Sequence, residues 1–174
     1  MSKVIALDAG HGYNTAGKRC MKSLDPDQTR EWYLNDRIMD LVEADLQNYD
    51  CTVLRVGDTT GKKDISLSAR VKAANQAKAA VYVSMHHNAG LYGSKGGGTV
   101  VFYYSSNVKR PVQAQKLYNQ IVNRTGLVGN RSQKVIKKAF YVLKNTSMPA
   151  FLVENGFREG SDDVHVTLAQ EHAE

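Results

Sequence analysis

A chain of 174 residues, 42% of them hydrophobic, is long enough for one well-filled core and too short for two comfortable domains, so a single domain is expected. The net charge of +6 and pI of about 9.3 suit an anionic partner. The lack of a basic run with interleaved aromatics argues against nucleic acid.

The first residues run from Met1 straight into a short strand with no extended apolar stretch, which reads as neither a signal peptide nor a membrane span. Val4–Leu7 is a short apolar run that ends in Asp8-Ala9-Gly10-His11-Gly12, so a first strand delivers a histidine at its carboxyl end, and the flanking glycines let the backbone turn sharply. Gly-His-Gly matches neither a dinucleotide fingerprint nor a Walker sequence, which argues against a nucleotide. Tyr13 to Arg30 is a polar stretch, long for a loop in a small domain and on that ground functional. Glu31 opens a helix whose Leu34, Ile38, Leu41, Val42 and Leu46 form one apolar face. A carboxylate in a first helical turn is ordinary, yet Glu31 is also a candidate ligand.

Cys51–Val56 reads as a second strand. Ser66 caps a second helix with Leu67, Arg70, Val71 and Ala74 on one side, ending around Lys78. Val81–Ala89, V-Y-V-S-M-H-H-N-A, is a β-branched and aromatic run without strict polar alternation, the pattern of a strand covered on both faces in a parallel sheet. A Gly-rich loop from Gly90 to Gly98 precedes a strand over Thr99–Tyr104. A third helix enters near Pro111 and buries Ala114, Leu117, Tyr118, Ile121 and Val122. Gly126 to Lys138 is basic and irregular. Phe140–Leu143 and Ala150–Val153 are further apolar runs, the second leading into Glu154-Asn155-Gly156-Phe157, and a short final helix begins near Ser161 or Asp162 and continues to the C-terminus. Cys20 and Cys51 sit in dissimilar surroundings and read as two thiols rather than a disulfide framework. The fold expected is α/β, a mostly parallel central sheet of about six strands with helices on both faces.

Four element ends then carry His11, Glu31, His86 with His87, and Glu154. In open α/β sheets such carboxyl ends hold ligands. Two imidazoles and a carboxylate from separate elements form the usual catalytic zinc set, and a further carboxylate that does not bind metal can act as base. The spacing is not that of a His-Glu-x-x-His helix.

These segments resemble the zinc-dependent N-acetylmuramoyl-L-alanine amidases of bacterial cell-wall hydrolases and phage endolysins, the Amidase_3 family. The matching pieces are D-A-G-H-G at Asp8–Gly12, R-E-W-Y-L-N around Glu31, V-L-R ending at Arg55, D-I-S-L-S-A-R ending at Arg70 with Asn75 following, S-M-H-H-N-A at Ser84–Ala89, and the segment Tyr141–Phe157, in family order over nearly the whole chain. The resemblance implies one zinc ion held by His11, Glu31 and His86. It implies that Glu154 takes a proton from water and returns it to the amine of L-alanine as the amide to N-acetylmuramic acid is cleaved. Successive strand residues face opposite ways, so Ser84, His86 and Asn88 share one side; the family pattern S-x-H-x-N puts the ligand at His86, leaving His87 a rim or packing residue. Arg158-Glu159-Gly160-Ser161 departs from the family's Asn-containing turn and is expected to touch only the rim.

Gly90–Gly98, Tyr13–Arg30 and Asn130–Lys138 are expected to border the groove. The expected partner is peptidoglycan, joined by anionic wall polymers that the positive charge favours, with no nucleic acid, no membrane insertion and a monomeric state. The whole chain, residues 1–174, reads as the catalytic domain, and the resemblance implies a C-terminal wall-binding module beyond Glu174. Without a visible signal peptide the chain is expected to be made in the bacterial cytoplasm and to act on the wall after release; a secreted protein trimmed of its leader would begin in the same way. The alternatives are a zinc peptidase or carboxypeptidase acting on wall peptides, which the same four groups would serve, and a non-catalytic wall-binding module, which would not need all four.

Overall fold

The computed structural model describes residues 2–169. Six strands form one sheet: β1 (Lys3–Ala9), β2 (Cys51–Arg55), β3 (Val81–Asn88), β4 (Val100–Tyr103), β5 (Val135–Lys137) and β6 (Ala150–Phe157), in the order β2-β1-β3-β6-β4-β5. Every neighbouring pair is parallel except β4 with β6. The helices are α1 (Glu31–Leu46), α2 (Leu67–Gln76), α3 (Lys109–Thr125), α4 (Tyr141–Asn145) and α5 (Val164–Ala169). The expected α/β sheet with helices on both faces is therefore present. The continuation of the last helix beyond residue 169 lies outside the described residues.

Alternation along the strands builds two cores. Ala6, Tyr82, Phe102 and Leu152 pack with Val71 and Ala74 of α2 and with Val142 and Leu143 of α4. Leu7, Met85, Val101 and Val153 pack on the other side with Trp32 and Met39 of α1 and with Ala114, Tyr118 and Val122 of α3. Ser66 caps α2 as expected, accepting from the Ala69 N–H, and Gly126 ends α3 with a left-handed φ of 73°.

Three sequence expectations change. Leu41 is 48% exposed, because Trp32 and Met39 turn inward and rotate the buried stripe of α1 away from it. Gly126–Lys138 is not wholly irregular: Val135-Ile136-Lys137 forms β5 against β4. Three residues flanked by lysines carry little periodic signal, and such charged, short strands are how sheet edges are blunted. Phe140–Leu143, β-prone by composition, turns into α4, because Val142 and Leu143 reach the core from a helix docked on α2. Asn75 fixes that docking, donating to the Asn145 carbonyl at 3.0 Å and accepting from the Ser147 N–H at 2.9 Å.

A buried polar network closes the end of β1. Asp8, 1% exposed, accepts from Tyr82 Oη at 2.6 Å and Ser84 Oγ at 2.7 Å, and pairs closely with Arg70. The Arg70 guanidinium also donates to the Ala9 and His11 carbonyls, both at 2.8 Å. Removing one partner of a buried pair leaves the other charge uncompensated. R70M should therefore destabilise the fold by about 3–5 kcal/mol in urea unfolding, and a loss below about 1 kcal/mol would contradict this role.

Candidate functional site

The site forms where β1, β3 and β6 end beside the start of α1. His11 follows β1 with φ of 71°, a left-handed backbone rarely taken by a residue with a side chain. The flanking glycines serve close approach: a Cβ on Gly10 would lie 2.1 Å from His86 Cε1, and one on Gly12 would lie 2.8 Å from the Asp64 nitrogen. The sharp turn expected of the glycines is thus taken by His11 itself, whose carbonyl Arg70 holds. Glu31 reaches the same point from the first turn of α1, and His86 from β3.

His11 Nε2 lies 3.2 Å and His86 Nδ1 3.3 Å from Glu31 Oε1, and the three ligand atoms all fall within 4.8 Å of one another. Two imidazole nitrogens and one carboxylate oxygen converging from three elements fit a divalent first-row metal, with nitrogen and oxygen donors suited to zinc and one side open to the cleft. Burial alone would raise the Glu31 carboxyl, but hydrogen bonds and charge from His11 and His86 outweigh it and hold the group far below the usual carboxylate range. Burial would lower His86, and Glu31 and Glu154 reverse that and push it up.

Glu154 is the register partner of His86 on β6, so the two side chains stand next to each other on one face of the sheet. Burial, with some help from Glu31, pushes its carboxyl up to about 7, against the pull of His86, Lys18 and Arg158. Its Oε2 is buried with no hydrogen-bond partner among the described residues. His87 faces the other way and is 2% exposed, which settles the expected choice between rim and packing in favour of packing. Asn35 explains its orientation. The Asn35 amide donates to the Gly10 carbonyl at 3.1 Å, so its oxygen accepts from His87 Nδ1 at 2.8 Å, and burial lowers the His87 imidazole to about 4, keeping it neutral.

Arg158 corrects the expectation for the segment that follows β6. It is 3% exposed, and its Nε donates to Glu31 Oε2 at 3.0 Å while Nη1 donates to the Arg19 carbonyl at 2.8 Å. A charged residue after a strand reads in sequence as solvated, so nothing there points to this burial. Asn35 had a readable signal, since it lies one turn after Glu31 on the same helix face.

An open cleft of about 580 Å³ lies over the cluster, lined by His11, His86 and Glu154, by Lys18, and by Asp64–Leu67 and Phe140–Val142. Of the three segments expected to border it, only Tyr13–Arg30 contributes, through Lys18. The Gly-rich loop is instead tied to the α5 end, where Asp162 and Asp163 accept from the Gly96 and Gly98 N–H groups. Asn130 accepts from the Gly97 N–H beside it.

Among the described residues no helix is long and apolar enough to cross a membrane. The chain is 33% identical over 167 residues to the endolysin of Bacillus phage SPP1, and 31% identical over 161 residues to the N-acetylmuramoyl-L-alanine amidase CwlM of Bacillus licheniformis. These alignments cover 94% and 91% of the chain but 58% of each relative, so the chain spans little more than half of their length. Among solved structures, an N-acetylmuramoyl-L-alanine amidase from Clostridium difficile 630 superposes with a TM-score of 0.81 at 26% identity, covering 96% of this chain and 86% of that one. The catalytic domain of CwlV from Bacillus (Paenibacillus) polymyxa var. colistinus gives 0.81 at 26%, covering 97% and 88%. With the family profile matching residues 5–171, the chain belongs to the N-acetylmuramoyl-L-alanine amidase family, Amidase_3.

Proposed function

We propose that this chain hydrolyses peptidoglycan at the amide between N-acetylmuramic acid and L-alanine, with zinc held by His11, Glu31 and His86 and with Glu154 as general base. The observation that carries the reading is the pairing of a His-Glu-His cluster with a neighbouring carboxylate pushed up to about 7, at the mouth of one cleft. Zinc bound there supplies a Lewis acid and lowers the pKa of its water toward about 7. Glu154 accepts the proton of the attacking water and hands it to the departing L-alanine nitrogen, which must be protonated to leave as an amine. A carboxyl titrating near neutrality suits both transfers, since it is neither too weak a base nor too weak an acid. Lys18, with Nζ 3.9 Å from Glu31 Oε2, adds positive charge at the cleft wall. Digestion of purified walls, read by mass spectrometry, should release peptides with new N-terminal alanine and leave the glycan intact. Cleavage inside the peptide would instead make the chain a peptidase.

We also propose anionic wall polymers as a second partner. From Ile65 to Val153 the chain carries thirteen Lys and Arg and no Asp or Glu, while all seventeen acidic residues lie outside that span. The span includes β4, β5, α3 and α4, so the basic residues gather toward the β5 side of the sheet. Lys134 lies over the Tyr118 ring at 6.0 Å, Lys137 over Tyr104 at 5.9 Å and Lys138 over Phe140 at 4.7 Å, contacts that steady the side chains without neutralising them.

Four variants check these assignments. E154Q should keep bound zinc and the folded spectrum while losing about 10²–10⁴-fold in turnover; equal loss of metal would make Glu154 a ligand. H86A should lose zinc and activity together. H87A should be less stable by about 2–5 kcal/mol but still bind zinc when folded, and the reverse pattern would move the ligand to His87. The triple variant K134Q/K137Q/K138Q should bind intact walls more weakly at low salt, with the difference gone on walls stripped of anionic polymers. Equal binding of variant and parent to intact walls would remove this surface.

A further inference from the structure

We propose that Arg158 is a positioning residue for the metal-binding carboxylate, occupying Glu31 Oε2 so that only Oε1 is presented to a divalent cation. The inference rests on the reading of His11, Glu31 and His86 as the metal site. Oε1 lies between the two imidazoles, at 3.2 Å from His11 Nε2 and 3.3 Å from His86 Nδ1. Oε2 points away from them and receives Arg158 Nε at 3.0 Å, with both side chains almost fully buried.

A carboxylate with both oxygens available can chelate a cation through either or both. One whose second oxygen is held by a guanidinium is confined to a single bond. Arginine suits the task because it stays charged at every working pH and presents its donors in a rigid fork. Two arms of that fork, Nε and Nη1, are engaged. Nη1 donates to the Arg19 carbonyl at 2.8 Å and to Glu159 Oε1 at 2.7 Å, while the Glu159 Oε2 atom accepts from the Gly90 N–H at 3.0 Å. The guanidinium is therefore braced from the polar Tyr13–Arg30 segment and from the loop after β3. Its position does not depend on Glu31 alone.

The consequence is coordinative. With one carboxylate oxygen and two imidazoles, a tetrahedral cation would keep its fourth position for water, and a bidentate Glu31 would crowd that position. Outer-shell partners of this kind cost about 10–100-fold in metal affinity or activity when removed.

The test uses the full chain loaded with Co²⁺ in place of Zn²⁺. Parent protein that binds neither metal would remove the metal-site reading itself, and this inference with it. Given binding by the parent, R158M should retain the metal, show a weaker Co²⁺ visible band as coordination rises above four, and lose about 10–100-fold in kcat with little change in KM. R158K, which can still place a charged donor on Oε2, should restore the parent's band. Should R158M fail to accumulate as folded protein, R158Q carries the same comparison, a neutral amide replacing the charge. A Co²⁺ band and kcat unchanged in R158M or R158Q would reduce Arg158 to a structural brace and overturn the proposal. So would a failure of R158K to restore the band.

Discussion

The parallel register of β1, β3 and β6 is the constraint on which the rest of the molecule depends. Side chains alternate along a strand, so a slip of one residue would turn every inward group outward. In the register observed, Asp8 stands beside Ser84 and His86 beside Glu154. That places Asp8, Ser84, His86 and Glu154 on the face covered by α2 and α4, while Met85 and His87 serve the opposite core. One pairing scheme thus fills two cores with apolar residues and assembles the polar site from the leftover positions at the strand ends.

Around the cluster, each member has its own support. Arg70, anchored on Asp8, holds the carbonyl of His11 in its left-handed turn. Asn35 ties α1 both to the Gly10 carbonyl and to the imidazole next to His86. Arg158 stands behind Glu31. Long polar side chains are costly to bury, and here the cost is offset because nearly every donor meets a carbonyl or carboxylate. The result is three functional groups fixed by packing and hydrogen bonds before any substrate arrives.

The two acidic groups of the site show how environment divides labour between like residues. Both Glu31 and Glu154 are pushed upward by burial, but Glu31 lies against two imidazoles, whose hydrogen bonds and charge reverse the effect. Glu154 has a weaker set of cations around it, is raised further by Glu31, and stays near 7. A carboxylate held ionised suits holding a cation, and one titrating near neutrality suits moving protons.

The sequence by itself determined most of the element types and picked out the residues that the fold brings together at the strand ends. Apolar runs, the Ser66 cap and the Gly-His-Gly turn are local signals, written in neighbouring residues, and His11, Glu31, His86 and Glu154 could be read from where such elements end. That His86 and His87 face opposite ways was also legible, because strand alternation is a local rule, while the choice of His86 over His87 came from the family resemblance. What only the tertiary structure decided depends on contacts between residues far apart in the chain. β5 exists because β4 offers it a partner, and α4 because α2 offers it a surface. Lys18 enters the cleft and Arg158 enters the interior through contacts spanning more than a hundred positions, Arg158 to Arg19 and to Glu31. Pattern along a sequence says which way a residue faces; what it meets there is set by the packing of other elements.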